Sequence, residues 1–401
     1  MNPDTRKLVL RICIVLLAIL AAPRAVFESR KLLFGQGFWD ANDLKNFHNQ
    51  VTVWRSGQDV WATVPLANYP PASYPLMFPM YALDNDINRF VWYAHMAIVL
   101  ALLIWMCVRE SGADSIEEKI CVALLPLAMF STGVVIGTAQ LAIHALTAST
   151  AAMLLLYNSR GRLACELAAA ACMTFALIKP TLTAPFFWIF LLIPRRKHAA
   201  VMVIVGYILL TLLGASFQPA SLIDQLKAFS AKGNAIAETY GFGHVPLWLV
   251  KAGYPNLIMP FTAAGLLAIG LWVWANRRAD RWLIYGALAI MTRLWAYHQL
   301  YDDMLNLFAF VALIRLAKGR AGNPQPDQLA LIVLAIAMTT LPGPATPLKF
   351  WNSWSALLCG WHTTVRILML ALIMHRAWGQ RTQTPARTQV LPNPRGALSK
   401  T

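Results

Sequence analysis

The residues of this chain that could do chemistry are few and lie far apart in the sequence. Asp40, Asp43 and Asp59 share one polar stretch, FWDANDLKNFHNQVTVWRSGQDVW, at residues 38–61. Lys179 stands directly before Pro180, Arg293 lies further on, and His298, Asp302 and Asp303 belong to YHQLYDD at 297–303. A carboxylate can take a proton as a general base, hold a hard cation through its oxygens or cap a helix. For Asp43 the cap is a full alternative. Leu44, Phe47, Val51 and Trp54 recur at helical spacing, with Lys45, Asn46, His48, Asn49 and Arg55 opposite, so a helix over 43–56 would start at Asn42 or Asp43. Such a helix is expected to lie along a membrane surface. Asp59, in SGQDVW, reads as a turn residue, and Asp302 and Asp303 read as caps of the helix that follows them. Lys179 either snorkels to lipid headgroups or is functional, the default for an ionisable group so close to lipid. His298 divides in the same way between a buried hydrogen-bonded role and a chemical one. Asp40 and Asp43 could join a distant His or Asp around a cation, but no ligand spacing supports it, so neither a metal nor a cofactor is expected.

The elements that must position these groups are membrane helices. The chain has 401 residues, 58% hydrophobic and only 13% charged, with a mean hydropathy of +0.52. A soluble domain carries about 25% charged residues, so the fold class expected is an all-α polytopic membrane protein. Apolar stretches near 8–26, 87–108, 119–137, 139–157, 162–178, 181–193, 199–216, 255–275, 282–296, 303–317, 328–341 and 355–376 make about twelve transmembrane helices. With Arg6, Lys7 and Arg11 inside, the inward loops hold Arg109 and Lys119, Arg160 and Arg162, Arg195 to Lys197, Arg277, Arg278 and Arg281, then Lys318 and Arg320. That is the positive-inside pattern. It accounts for the net charge of +16 without a nucleic-acid partner. The first segment is read as an uncleaved helix and not as a signal peptide. The six cysteines, Cys13, Cys107, Cys121, Cys165, Cys172 and Cys359, fall in apolar segments without a CxxC pair and read as small core hydrophobes. One integral domain, 1–376, is expected, with a basic, disordered tail at 377–401. The outward face receives two larger loops, 27–86 and 217–254, each expected to be ordered. The polar candidates therefore gather on one side. Trp39, Trp54, Tyr69, Tyr74, Tyr240 and Trp248 are expected in the outer aromatic belt.

Several runs together resemble glycosyltransferase family 87. Asp43, Phe47, Gly57, Asp59 and Trp61 look like its D…Y…G-x-D-x-Y signature. NYPPASYPLMFPMYAL (68–83), GTAQLAIHALTASTAAMLLLYNSRGR (137–162), ALIKPTLTAPFFWIFLL (176–192) and YHQLYDDMLNL (297–307) are similar to its later motifs, in the right order over roughly 8–317. The chain departs from the pattern in two places. It reads GNAIAETYGFGHVP where the family often shows Asn-Gln-Ser, and GTAQ where the family has GQ.

The resemblance implies a GT-C-like bundle whose two larger extracytoplasmic loops bear interfacial helices. It implies an inverting enzyme that takes a hexose, mannose first, from a polyprenyl-phosphate donor to a hydroxyl of a glycolipid or glycan acceptor at the outer face. The setting would be the plasma (inner) membrane of a bacterium, with both termini cytoplasmic and membrane lipids as the remaining partners. On that reading Asp43 is the general base and Asp40 its understudy. Lys179, His298 and Arg293 await the phosphate, and Tyr297, Gln140, Asp302 and Tyr69 line the substrate site. His362 and Arg366, one turn apart in the last helix, are structural glue or carrier-lipid contacts. The alternative is a transporter or flippase of a lipid-linked sugar. It calls for related halves and charges deep in the bundle, and only Arg366 and His144 approach the latter.

Overall fold

Backbone groups inside lipid have no water to bond, and a helix satisfies them within its own segment. Every regular element among the described residues of the computed structural model (2–37, 40–159, 161–194, 197–239, 243–322, 325–343 and 352–381) is a helix. In chain order come α1 (Pro3–Phe34), α2 (Asn42–Arg55), α3 (Val60–Thr63), α4 (Ser73–Tyr81), α5 (Asn85–Glu110), α6 (Ile116–Ala128), α7 (Phe130–Thr138) and α8 (Ala142–Asn158). Then follow α9 (Leu163–Ala176), α10 (Pro180–Thr183), α11 (Phe187–Leu192), α12 (His198–Ser216), α13 (Leu222–Thr239), α14 (Val245–Lys251), α15 (Ile258–Asn276), α16 (Arg281–Trp295), α17 (Asn306–Ala317), α18 (Gln328–Met338) and α19 (Asn352–Gly379).

Five of these helices are long and apolar enough to cross a membrane, in α1, α5, α12, α15 and α19; α6 and α7, bent by 53° at Met129, would make a sixth if taken as one span. The other apolar segments are shorter than the sequence suggests, because they break. Met129 is extended (ψ 128°) between α6 and α7. The 181–193 segment divides at Pro185 into α10, a 3₁₀ turn and α11, as expected where a ring removes a donor. α18, of 11 residues, spans only about 17 Å at 1.5 Å per residue. Apolar side chains on the outside of the bundle, Leu16, Ile19, Leu209, Leu271 and Ile332 among them, are more than half exposed. These are the lipid-facing stripes of a membrane protein. The expected tail falls, from 382 onward, outside the described residues, as do Trp39, Arg160, Arg195, Arg196 and Tyr240.

Polar groups separate to the two ends. At one end a ring of ion pairs joins Arg281 to Glu110 (2.7 Å), Lys318 to Asp114 (2.8 Å) and Glu118 (2.5 Å), Arg315 to Asp280 (2.8 Å) and Arg376 to Asp327 (2.7 Å). Arg6 adds the start of α1 through Glu118. The loops expected inward for their basic residues thus carry interleaved carboxylates, which a count of Lys and Arg does not register. At the opposite end α2, α4 and the 3₁₀ segment Leu300–Leu305 gather.

The α2 helix falls where its periodicity puts it, and the buried set Leu44, Phe47, Val51 and Trp54 is the expected stripe. It is covered by protein and not by lipid. Phe47 meets Tyr69 and Tyr81 edge-on at 5.1 and 5.2 Å, and the Trp54 indole donates to the Gly214 carbonyl at 2.8 Å. Tyr69, Tyr74 and Trp54 are consequently buried, not set in an aromatic belt, whereas Trp248 is 43% exposed. A tyrosine or tryptophan enters a core where its polar tip finds a partner, and Tyr74 finds Gln50 at 3.3 Å.

Gly214 is also where α12 meets the turn before α4 most closely, because a Cβ built there would lie 2.0 Å from the Pro71 carbonyl oxygen. Backbone cannot swing aside as a side chain does. Gly214→Ala should destabilise the protein by about 1–3 kcal/mol, the usual range for overpacking, read as a lower midpoint of thermal unfolding in detergent. An unchanged midpoint would mean that the turn before α4 is not seated on α12 in this way.

Candidate active site

Asp43 is half-buried in the first turn of α2 and caps nothing, since the N-cap residue is Ala41 and no side chain bonds the free N–H groups. Its carboxyl is instead aimed at the C-terminal end of α7. The side chains of Thr138 and Gln140 lie beside it, and it feels the charges of Lys179 and Asp302. Gln140 has its Oε1 engaged by the Tyr69 hydroxyl (3.3 Å) and the Leu141 N–H (2.8 Å), which turns its amide N–H groups toward Asp43. The Thr138 hydroxyl donates to the Val134 carbonyl at 2.9 Å. Burial raises the Asp43 pKa from its ordinary value to about 6, against the opposing pull of Thr138 and Lys179.

The backbone that holds this meeting is strained. Ala41 (φ 49°) and Ala139 (φ 61°) are the two non-glycine residues of positive φ among those described. They flank the contact, for the Ala41 N–H donates to the Gly137 carbonyl at 3.0 Å. A left-handed L-residue costs of order 1–3 kcal/mol and persists only where the surroundings over-determine it. Here each one re-aims the chain just before a side chain of the site, Asp43 in one case and Gln140 in the other. Beneath α7, Glu28 and Lys31 of α1 pair at 2.9 Å and pack against Gly137.

Opposite Asp43 lie two buried clusters built on consecutive residues. In the first, Lys179 Nζ donates to Asp302 Oδ1 at 2.8 Å, over the ring of Tyr301. Asp302 Oδ2 lies 3.1 Å from His298 Nδ1 and accepts from the Gln299 N–H at 3.0 Å. The other ring nitrogen of His298 faces the Thr292 carbonyl at 2.7 Å. Burial lowers the His298 pKa, against the pull of Asp302. Burial pushes Asp302 up, yet Lys179 and then His298 hold it well below the usual carboxylate range. In the second cluster Asp303 takes Arg293 Nε and Arg366 Nη2, each at 2.6 Å, with His362 Nδ1 at 3.8 Å. Burial raises Asp303, but Arg366, Arg293 and His362 hold it well below the usual carboxylate range.

The structure therefore brings Asp43, Gln140, Tyr69, Lys179, Asp302 and His298 to one place. Tyr297 stands at its edge, where its hydroxyl meets Gln299 and its ring lies edge-on to His244 at 5.8 Å. Arg293 turns from His298 to Asp303. Asp302 and Asp303 are more than caps: Asp302 does close a capping box with Gln299, but both carboxylates are ion-paired. Asp40 stands apart, bonding the Gly37 N–H at 2.8 Å and shaping the turn before α2. Asp59 caps α3 through the Ala62 N–H at 3.0 Å. Thr138 and His244 were not picked out from the sequence. A hydroxyl and a loop imidazole carry no periodic or charge signal, though Thr138 lies two residues from Gln140. Among the described residues no group of three His, Cys, Asp or Glu side chains could hold a metal.

The model of one known family, described as glycosyltransferase family 87, matches residues 68–297, more than half of the chain. The match takes in Tyr69, Gln140, Lys179, Arg293 and Tyr297 but begins after Asp43 and ends one residue before His298. No curated protein and no solved structure matches the chain.

Two outcomes follow from the charges. Asp43 binds its proton more tightly folded than unfolded, so its ionisation costs stability as pH rises from about 4 to about 6 and nothing further above that. Asp43→Asn should remove this slope, leaving a protein at least as stable as the wild type at pH 7; a marked loss in thermal unfolding would make the carboxylate structural. Lys179→Met should cost about 3–5 kcal/mol by stranding Asp302, and Lys179→Met/Asp302→Asn should recover part of it, because a buried charge is worse alone than absent.

Proposed function

The chain belongs to glycosyltransferase family 87, and on that premise we propose that it transfers a hexose, mannose first, from a polyprenyl-phosphate carrier to an acceptor hydroxyl, inverting the anomeric carbon. Asp43 is the general base. The observation that carries this reading is a half-buried carboxylate whose pKa is raised to about 6, facing the cations at the end of the bundle opposite the ionic ring. A base works best with a pKa near the operating pH, and an ordinary surface aspartate is too weak.

In the step itself the acceptor oxygen attacks the anomeric carbon while its proton passes to Asp43. The bond from that carbon to the phosphate oxygen breaks with its electron pair, and polyprenyl phosphate departs. Gln140 and Thr138 stand beside the Asp43 carboxyl as its neutral polar neighbours. The charge developing on the phosphate is met by preorganised cations at the same end, worth most in a water-poor site. A donor with its tail in lipid brings its phosphate to headgroup depth, where α2 and the Leu300–Leu305 segment stand. The bundle is GT-C-like, with about twelve crossings, several of them by the broken or shorter apolar helices beside the five or six long spans. The basic residues of the ring favour cytoplasmic termini, with the site outside, and the membrane proposed is a bacterial plasma membrane. A glycolipid or glycan supplies the acceptor.

Asp43→Asn should lower turnover about 10²–10⁴-fold, the usual contribution of a positioned base, while binding of the lipid-linked donor persists. The activity of the wild type should fall as pH drops through about 6, where Asp43 takes up its proton. Both are read by transfer of radiolabelled mannose from polyprenyl-phosphate mannose in reconstituted membranes. Near-normal transport of the lipid-linked sugar by Asp43→Asn, with no transfer by the wild type, would replace the enzyme by a carrier.

A further inference from the structure

α1 carries three charged side chains in one helical row, Arg24, Glu28 and Lys31. The row is turned toward α7, which presents Gly133 and Gly137, four residues apart. A Cβ at Gly133 would lie 2.5 Å from Arg24 Cδ and 3.3 Å from Glu28 Cγ. One at Gly137 would lie 2.0 Å from Glu28 Oε2 and 3.2 Å from Lys31 Nζ. Glycines at this spacing let two membrane helices approach closely, but what fills the approach here is ionic. An apolar pair would hold such a seam at least as well. The charges therefore call for another reason, and ionisable groups between membrane helices are functional candidates by default.

The row holds α7 at both ends. Arg24 lies over the Phe130 ring at 4.9 Å and donates to the carbonyl of Ala128, the last residue of α6, at 3.3 Å. It thereby ties the bend at Met129 to α1. At the other end Glu28, 7% exposed, has no room to swing away from Gly137. Its Oε2 accepts from Lys31 Nζ at 2.9 Å, and its Cγ already lies under Gly133. Lys31 brings its ammonium to the last turn of α7, the negative end of that helix. That turn is also the part of α7 that meets α2. The Gly137 carbonyl accepts from the Ala41 N–H at 3.0 Å, two residues before Asp43. Thr138 and Gln140 come next in the chain and stand beside the Asp43 carboxyl. Glu28 thus bears on the candidate base through the backbone of Gly137.

We propose that Glu28, fixed by Lys31, is a positioning residue for Asp43: its carboxylate is the shelf that sets where α7 ends against the Ala41 turn. The inference rests on Asp43 being the base proposed above. A general base works only within hydrogen-bond reach of the proton that it takes, and a misplacement of about 1 Å costs on the order of 10²-fold in rate. A shelf for such a group must itself be rigid, and the ion pair to Lys31 locks the Glu28 side chain as packing alone would not. Glu28 lies outside the matched part of the chain, whereas Gly133 and Gly137 lie within it.

The test is transfer of mannose from polyprenyl-phosphate mannose by the full-length protein in reconstituted membranes, with kcat and the donor's KM determined separately. Thermal unfolding reports folding. Glu28→Ala should lower kcat about tenfold or more and leave KM within about threefold, the split expected of lost positioning. Glu28→Gln keeps the shape and still accepts from Lys31, so it should return kcat to within about threefold of the wild type. Gly137→Ala should lower kcat by the same order as Glu28→Ala. Glu28→Ala/Gly137→Ala should recover part of the loss, because the new methyl takes the room that the carboxylate leaves. Gly214→Ala, whose Cβ would meet Pro71 and Pro75 instead, controls for destabilisation alone and should keep kcat within about threefold. Should Glu28→Ala not fold, Gly137→Ala set against Gly214→Ala carries the comparison. Wild-type kcat in both Glu28→Ala and Gly137→Ala, or an equal fall in Gly214→Ala, overturns the positioning role and leaves the proposed reaction standing. Wild-type kcat in Asp43→Asn overturns the base and this inference with it.

Discussion

Two adjacent carboxylates buried at one end of a helical bundle have to be compensated, and the rest of this end is arranged around that demand. Asp302 and Asp303 turn in different directions from one 3₁₀ segment. Asp302 draws in Lys179 from the junction of α9 and α10 and orders His298. Asp303 draws in Arg293 from α16 and Arg366 from α19. Removing water from such charges is so costly that the partners must arrive with good geometry or the helices cannot close. Four segments distant in sequence are thereby fixed relative to one another. Specific ion pairing substitutes here for the hydrophobic driving force that lipid withholds from helix association.

Asp43 is the exception within this economy. It faces Lys179 without being paired to it, since that cation is already bound to Asp302, and its neighbours Gln140 and Thr138 are neutral. A carboxylate placed where compensation is incomplete keeps its proton at higher pH than usual, which is what a base working near neutrality requires. The strain at Ala41 and Ala139 belongs to the same arrangement. The chain is turned at both places against its steric preference so that Asp43 and Gln140 meet.

Much of the scaffold was legible from composition and pattern. Apolar runs locate the lipid-facing helices, and the three-four spacing of Leu44, Phe47, Val51 and Trp54 locates α2 to within a residue, because a helix imposes that period on any face that it buries. What covers the face was not legible. A stripe of that width suits a bilayer surface as well as α4 and α12, and the choice depends on long-range packing with Gly214 and Tyr69. Helix breaks at Met129 and Pro185 were equally hidden within runs of unbroken hydrophobicity.

The site divides along the same line. Asp43, Lys179, His298 and Asp302 could be named because ionisable residues are rare in an apolar chain and stand out wherever they occur. By itself the sequence determined that the chain is helical, bound to lipid and polarised toward two ends, since those properties follow from local hydropathy and charge. Only the tertiary structure decided which charge neutralises which. Asp40 shapes a turn, Lys179 is taken by Asp302, and Arg366 comes to Asp303 from sixty-three residues away. Pairing energies depend on distance and dielectric, and both are created by the fold rather than written along the chain.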